Sequence, residues 1–219
     1  MKIKVVCEGK TEKGLRKLIG RILDDKFPDP KARRKISISF DFMDGVPEVL
    51  KHIGTISEKS IAEGCISVIC LIDLHRIHEH FPEPLRNALS GQDFLKLEIP
   101  DRVKWLKDNI TKYLVAEYNQ DKVTAHVALH EVEAWLISDI ETLGKTLRKR
   151  ITDEFPNPEA VDDEKPPHKR LEEKYRYKKS SHGKKCLEEL NYELAMQKCP
   201  QFKSFIEYML GLCKPASSS

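Results

Sequence analysis

The chain has 219 residues, 40% of them hydrophobic and 33% charged, which excludes a disordered or fibrous polymer and leaves enough apolar material for a full core. A net charge of +3 excludes a uniformly basic or acidic protein, so affinity for a charged partner must come from local clusters. No apolar run approaches the ~20 residues needed to span a bilayer, the six cysteines include no C-x-x-C pair, and no signal-peptide pattern opens the sequence, so a cytoplasmic protein with reduced thiols and no membrane partner is expected.

In chain order, Ile3, Val5 and Cys7 alternate with Lys4 and Val6, a short strand with a buried face that Glu8 closes. Gly9 permits a sharp turn, Thr11 is a candidate N-cap and Glu12 falls in the first turn of a helix carrying Leu15, Leu18, Ile19, Ile22 and Leu23. Prolines 28 and 30 break the pattern, and Ile36, Ile38, Phe40 and Phe42 then alternate through a second strand over residues 35–43. Pro47 opens a helix with Val49, Leu50, Ile53 and Ile56, expected to break near Gly54 and resume to Ala62. Residues 66–72 form a run that is apolar but for Ser67, the pattern of a central strand buried on both faces, and it ends in Asp73.

Residues 75–100 are rich in proline and charge and predict a long irregular segment, in which His75, His78 and His80 cluster on a charged loop. Asp101 is a candidate cap for a helix with Val103, Leu106, Ile110 and Leu114 on its inner face. Residues 122–129 predict a fourth strand that runs into His130, Glu131, Val132 and Glu133, with Trp135, Leu136 and Ile137 on a buried helical stretch. This alternation predicts an α/β domain over residues 1–140, a mainly parallel four-stranded sheet flanked by helices. Beyond it the pattern predicts a small helical lobe over residues 141–214, with a linker or ordered loop at 153–167, helices at 169–174, 184–196 and 202–212, and a disordered tail at 215–219.

Chemistry concentrates at the strand ends. Glu8, Asp73 and the Glu131/Glu133 pair each follow a predicted strand, and in a parallel sheet those ends share one edge, where ligands bind. Clustered carboxylates repel unless a cation sits among them, and hard oxygen donors suit Mg2+ or Mn2+. From Lys165 to Lys185 nine residues are basic, with Tyr175 and Tyr177 interleaved, a composition suited to neutralising a nucleic-acid backbone.

The run Val6-Cys7-Glu8-Gly9-Lys10-Thr11-Glu12 resembles the opening E-G-x-T-E motif of TOPRIM domains, and Leu71-Ile72-Asp73 resembles the strand carrying their first metal-binding Asp. Glu131-Val132-Glu133-Ala134 is similar to the E-x-E-A segment of a TOPRIM-like family of unknown function. Three later stretches match that family in order: Lys165-Pro166-Pro167-His168-Lys169-Arg170-Leu171, Tyr177-Lys178-Lys179-Ser180-Ser181-His182-Gly183 and Cys199-Pro200-Gln201-Phe202. The resemblance, which extends to nucleases of the overcoming-lysogenization-defect group, implies a Mg2+- or Mn2+-dependent nuclease acting on DNA in preference to RNA. It also implies an ABC-type ATPase partner in phage defence. On this reading Glu8, Lys10, Asp73 and Glu133 are catalytic, and Glu8, Asp73, Glu131 and Glu133 hold metal. Lys169, Arg170, Lys178, Lys179, His182, Lys184 and Lys185 bind nucleic acid, while Glu12, His75, His130 and Asp139 support the centre from behind. A homodimer is compatible with it.

The usual D-x-D of TOPRIM enzymes is here Asp73-Leu74-His75, so one acid is missing. The alternative is therefore a catalytically silent module that binds nucleic acid or regulates a partner. Between the two paired acids, Glu133 is expected to stand nearer the mouth of the crevice and Glu131 to act from its outer shell.

Overall fold

The computed structural model describes residues 1–75, 77–118, 121–129, 131–153, 155–160 and 165–214. Four parallel strands, β1 (Lys2–Glu8), β2 (Ser37–Met43), β3 (Cys65–Asp73) and β4 (Val123–Ala128), form one sheet in the order β2-β1-β3-β4. The expected α/β class and mainly parallel sheet are thus what the chain adopts. β1 and β3 are central, which explains why Val5, Val6, Cys7 and residues 68–72 are buried on both faces.

One face of the sheet is covered by α3 (Val46–Ala62) and α6 (Ile99–Tyr118), which pack Val49, Ile53, Leu106 and Ile110 against Val6, Val68, Cys70 and Val127. Gly54 does not break α3. A Cβ there would lie 2.2 Å from Tyr118 Cζ, so the glycine lets the α6 ring approach the helix. The other face takes α1 (Leu15–Lys26), which a 3-10 turn (Thr11–Gly14) joins to β1, together with the C-terminal helices. Between α1 and β2 lies the single turn α2 (Pro30–Arg33), capped by Asp29.

Residues 75–100 differ from the irregular segment that their prolines suggested. They contain a 3-10 turn (Ile77–His80), α4 (Glu83–Ala88) and α5 (Gly91–Lys96). Pro84 lies in the first turn of α4, where its missing N–H costs nothing, and Ser90 caps α5 by accepting from Asp93 N. α6 begins at Ile99, two residues before the expected cap. After β4 come α7 (Glu133–Leu136) and α8 (Ile140–Leu147), the latter capped by Asp139 through Thr142 N.

The C-terminal part comprises α9 (Pro167–Tyr175), a π-helical turn (Lys179–Gly183), α10 (Lys184–Glu189), α11 (Tyr192–Lys198) and α12 (Pro200–Leu212). The single helix expected over 184–196 is two, because Leu190 leaves the helical conformation and Asn191 caps a new start by accepting from Leu194 N. These helices share one core with the sheet: Leu171, Leu187, Phe202, Phe205 and Ile206 join Ile3, Val5, Ile69 and Trp135. All six cysteines are buried free thiols. Among the described residues no helix is long and apolar enough to cross a membrane.

Candidate active site

Glu8 and Asp73 are the last residues of neighbouring strands β1 and β3, and their side chains hydrogen-bond to each other. Burial, then the charges of Glu8 and Glu12, push the Asp73 carboxyl well above its ordinary range. Glu8 is also raised, mainly by burial, but accepting from Asp73 and facing Lys179 limit the shift. Of the two, Asp73 is the carboxyl whose charge is the more opposed, because it is the more deeply buried and faces both Glu8 and Glu12.

The turn after β1 depends on Gly9, whose φ is +89° and whose position a Cβ could not occupy, since it would lie 2.2 Å from Glu12 Oε2. That approach folds Glu12 back toward the strand end, where burial and then Glu133 drive its carboxyl well above the usual range. Thr11 does not cap the helix. It enters a 3-10 turn, and its hydroxyl points inward to donate to Glu133 Oε1 at 2.8 Å.

Glu131 and Glu133 part company because the helical turn begins between them. Ala134 N–H already reaches Glu131 O, and Glu133 is the first residue of α7. Glu133 is 1% exposed and turned inward, where its Oε1 accepts from Thr11 and from the Tyr177 hydroxyl at 2.9 Å. Glu131, not Glu133, lines the cavity, the reverse of the expected order.

A lysine from the C-terminal part closes this half. Lys179 Nζ lies 2.9 Å from Glu131 Oε1 and 3.3 Å from Glu133 Oε2. Burial opposes its charge, but Glu133, Glu131 and Asp73 outweigh that and raise the ammonium pKa above its usual value. On its other oxygen Glu131 meets His168 Nδ1 at 2.5 Å and the His168 backbone N–H at 3.4 Å. Burial alone would raise Glu131; His168 and Lys179 instead hold it down at about 2. Gly183 ends the π-helical turn against this network, since a Cβ there would lie 2.3 Å from Thr11 Oγ1 and 2.6 Å from the Tyr177 hydroxyl.

The result is a cavity of about 190 Å3 lined by Glu8, Gly9, Lys10, Thr11, Glu12, Asp73, His75, Glu131 and Lys179. The fold therefore brings together Glu8, Lys10, Glu12, Asp73, His75 and Glu131 from three distant stretches. Asp139 caps α8 and accepts from Asn191 N at 2.9 Å, away from the lining. His130 lies outside the described residues. Of the basic set, Lys179 is committed to the acids, Arg170 donates to Lys165 O at 3.0 Å, and His182 Nδ1 accepts from Lys178 N at 3.0 Å. Lys169, Lys178, Lys184 and Lys185 are exposed. Sequence reasoning did not assign His168, Thr11 or Tyr177 to the site; all three stand inside or beside the quoted motifs, and that was the available signal.

By donor chemistry, the four carboxylate-bearing side chains that face the cavity, Glu8, Glu12, Asp73 and Glu131, are hard oxygen donors of the kind a divalent cation takes. As arranged, Glu8 is tied to Asp73 and Glu131 to Lys179. Among the described residues no group of three His, Cys, Asp or Glu stands ready to hold an ion, the three loop histidines included.

A family model described as a domain of unknown function, DUF4276, matches residues 7–210. No curated protein and no solved structure matches the chain.

Proposed function

We propose that this chain, which belongs to the DUF4276 family, is a Mg2+- or Mn2+-dependent phosphodiesterase that cleaves nucleic acid, DNA in preference to RNA. The observation that carries the reading is the hydrogen-bonded Glu8–Asp73 pair at adjacent strand ends, facing Glu131 across one cavity. The TOPRIM resemblance of the same residues agrees with it and adds an ABC-type ATPase partner in phage defence.

A divalent ion bound there would acidify water and neutralise charge on the phosphate. Glu8, Asp73 and Glu131 would hold it. Glu8, at the half-buried edge of the cavity, is placed to take a proton from an attacking water. Lys10, exposed on the rim, offers a cation to a substrate phosphate oxygen. Lys179 orients Glu131 and adds positive charge beside it. Glu133 acts one step back: it fixes Thr11, Tyr177 and Lys179, and so joins the turn after β1 to the C-terminal part. Lys169, Lys178, Lys184 and Lys185 supply phosphate contacts along the approach.

The test is cleavage of supercoiled and linear DNA, and of RNA, with Mn2+ or Mg2+, alone and with the ATPase, alongside calorimetric Mn2+ titration of wild type and Asp73→Asn. Cleavage that depends on metal and on Asp73 is expected. Absence of both cleavage and saturable Mn2+ binding would remove the reading. The second reading, a silent nucleic-acid-binding module, is favoured by one observation: Lys179 already neutralises Glu131 and Glu133 from within the chain. Nucleic-acid binding without Mn2+ binding would select it.

A further inference from the structure

The sheet order leaves β2 with a strand on one side only. Ser37 donates its N–H to Met1 O, and Gly9 donates to Met43 O, so residues 37, 39, 41 and 43 direct their backbone groups toward β1. Along a strand these directions alternate. Ile38, Phe40 and Phe42 therefore aim their N–H and C=O groups out of the sheet, along an edge seven residues long.

Exposed edges of this length are normally guarded by lysine, proline, a bulge or a covering element. β2 has none of the first three: its sequence is Ser-Ile-Ser-Phe-Asp-Phe-Met, and its register with β1 is unbroken. Its one charge, Asp41, is taken up by Lys4 at 3.0 Å. Among the described residues it packs most closely on β1 and on α3, its Phe40 and Phe42 rings lie toward α1, and no strand lies beyond it.

The strand is also complementary to itself. Antiparallel pairing about a two-fold axis at Phe40 sets Phe40 against its own copy, Ile38 against Phe42, Ser39 against Asp41 and Ser37 against Met43. The three residues with outward backbone groups then fall in hydrogen-bonded pairs, and each outward N–H finds a carbonyl. On the α1 side this forms aromatic and aromatic–β-branched cross-strand pairs beside the Phe40–Phe42 stack, whose rings are 5.8 Å apart. On the other face no like charges are opposed, and the Ser39 hydroxyl can donate to the Asp41 carboxylate of the second copy.

We propose that the chain forms a two-fold homodimer in which the β2 strands of two copies pair antiparallel about Phe40, joining two four-stranded sheets into one of eight. Because the copies run in opposite directions, the two acidic cavities open at opposite ends of the joined sheet, roughly 25 Å apart by strand geometry. The inference stands independently of the chemistry assigned to those cavities.

The test is sedimentation equilibrium of the full chain and two variants, with thermal melts as a folding control. Ile38→Pro removes an outward N–H and leaves the β1 ladder intact. Ser39→Asp alters an exposed position beside Lys4, so the monomer keeps its fold, but sets a carboxylate against Asp41 of the second copy at two symmetric places. Wild type should sediment at twice the chain mass, and Ser39→Asp should weaken the dimer about tenfold. If Ile38→Pro unfolds, Ser39→Asp alone decides. A wild-type monomer, an open-ended assembly, or a dimer indifferent to Ser39→Asp would overturn the proposal.

Discussion

On the β1–β3 side of the cavity, Glu8 and Asp73 are hydrogen-bonded to each other, and both carboxyls are pushed up by burial. On the α7–α9 side, Glu131 sits among Lys179 and His168 and is held at about 2, although it too is buried. Glu133, beside it, accepts from Thr11 and Tyr177 and pairs with Lys179. The difference lies in the counter-ions, because desolvation acts on both sides. The C-terminal part supplies paired cations and donors to one half and reaches the other only through the charge of Lys179, which burial and the neighbouring acids outweigh. An external cation gains most where the repulsion is greatest, so the half with the least internal compensation is the half suited to function, and the compensated half is suited to holding the molecule together.

The largest effect that would break this comparison concerns Asp73. On the proposed function, Asp73→Asn should cut metal-supported cleavage by about two to three orders of magnitude, the scale of losing a preorganised electrostatic group. The same change replaces an acid whose charge burial, Glu8 and Glu12 oppose with a neutral amide that can donate to Glu8, so Tm should hold or rise. A large fall in Tm would mean that the pair is a structural bond.

Glu133→Ala should behave in the opposite way. It strands the Thr11 and Tyr177 hydroxyls and half of the Lys179 ion pair, at a cost of about 3–5 kcal/mol for breaking a buried pair. For a chain of this size that lowers Tm by roughly 6–20 °C. Mn2+ affinity measured by calorimetry below the melt should change far less than in Asp73→Asn. If Glu133→Ala abolishes Mn2+ binding in a folded protein, Glu133 belongs to the metal-binding half.

The two halves also respond to pH with opposite sign. Glu131, depressed to about 2, contributes stability that is complete above the ordinary carboxylate range and is lost as pH falls toward 2. Glu8, Glu12 and Asp73 are raised, so they bind protons more tightly folded than unfolded. Their contribution is complete below the ordinary range and is lost as pH rises through their folded values. Stability should therefore peak in mildly acidic solution and fall toward neutrality, with the neutral decline shallower in Asp73→Asn and in the presence of Mn2+. Identical slopes in melts of both proteins would show that the raised acids do not govern it.

The smallest expected effect is Tyr177→Phe, which deletes one of the two hydroxyls on Glu133 Oε1 and leaves the ring packing. A loss of about 1 kcal/mol is expected, seen as a small shift in a denaturation midpoint. A loss several times larger would place Tyr177 at the centre of the inner network.

Much of this arrangement was legible residue by residue. The apolar run into Asp73 and the alternation into Glu8 mark strand ends because a parallel sheet buries its central strands and turns at their tips, and the structure puts both acids there. Gly9 was legible as a turn for the same local reason. The order of Glu131 and Glu133 was not. It depends on whether the chain becomes helical at Glu131 or after it, and the structure resolves that by starting α7 at Glu133. Thr11 looks like a cap in isolation, but its hydroxyl has a stronger partner in a buried carboxylate brought from 122 residues away. Gly54 looks like a helix break only because the Tyr118 ring that occupies its missing Cβ lies on another helix.

By itself the sequence determined the class of the fold, the positions of its strands and the acids at their tips, because hydrophobic period and turn chemistry are local properties of neighbouring residues. Tertiary structure alone decided which acids remain uncompensated. That depends on Lys179 and His168 arriving from 48 and 37 residues beyond Glu131, and on Gly183 fitting closely against Thr11. Coulomb energy depends on separation in space and on burial, and neither can be read along the chain until the chain has folded.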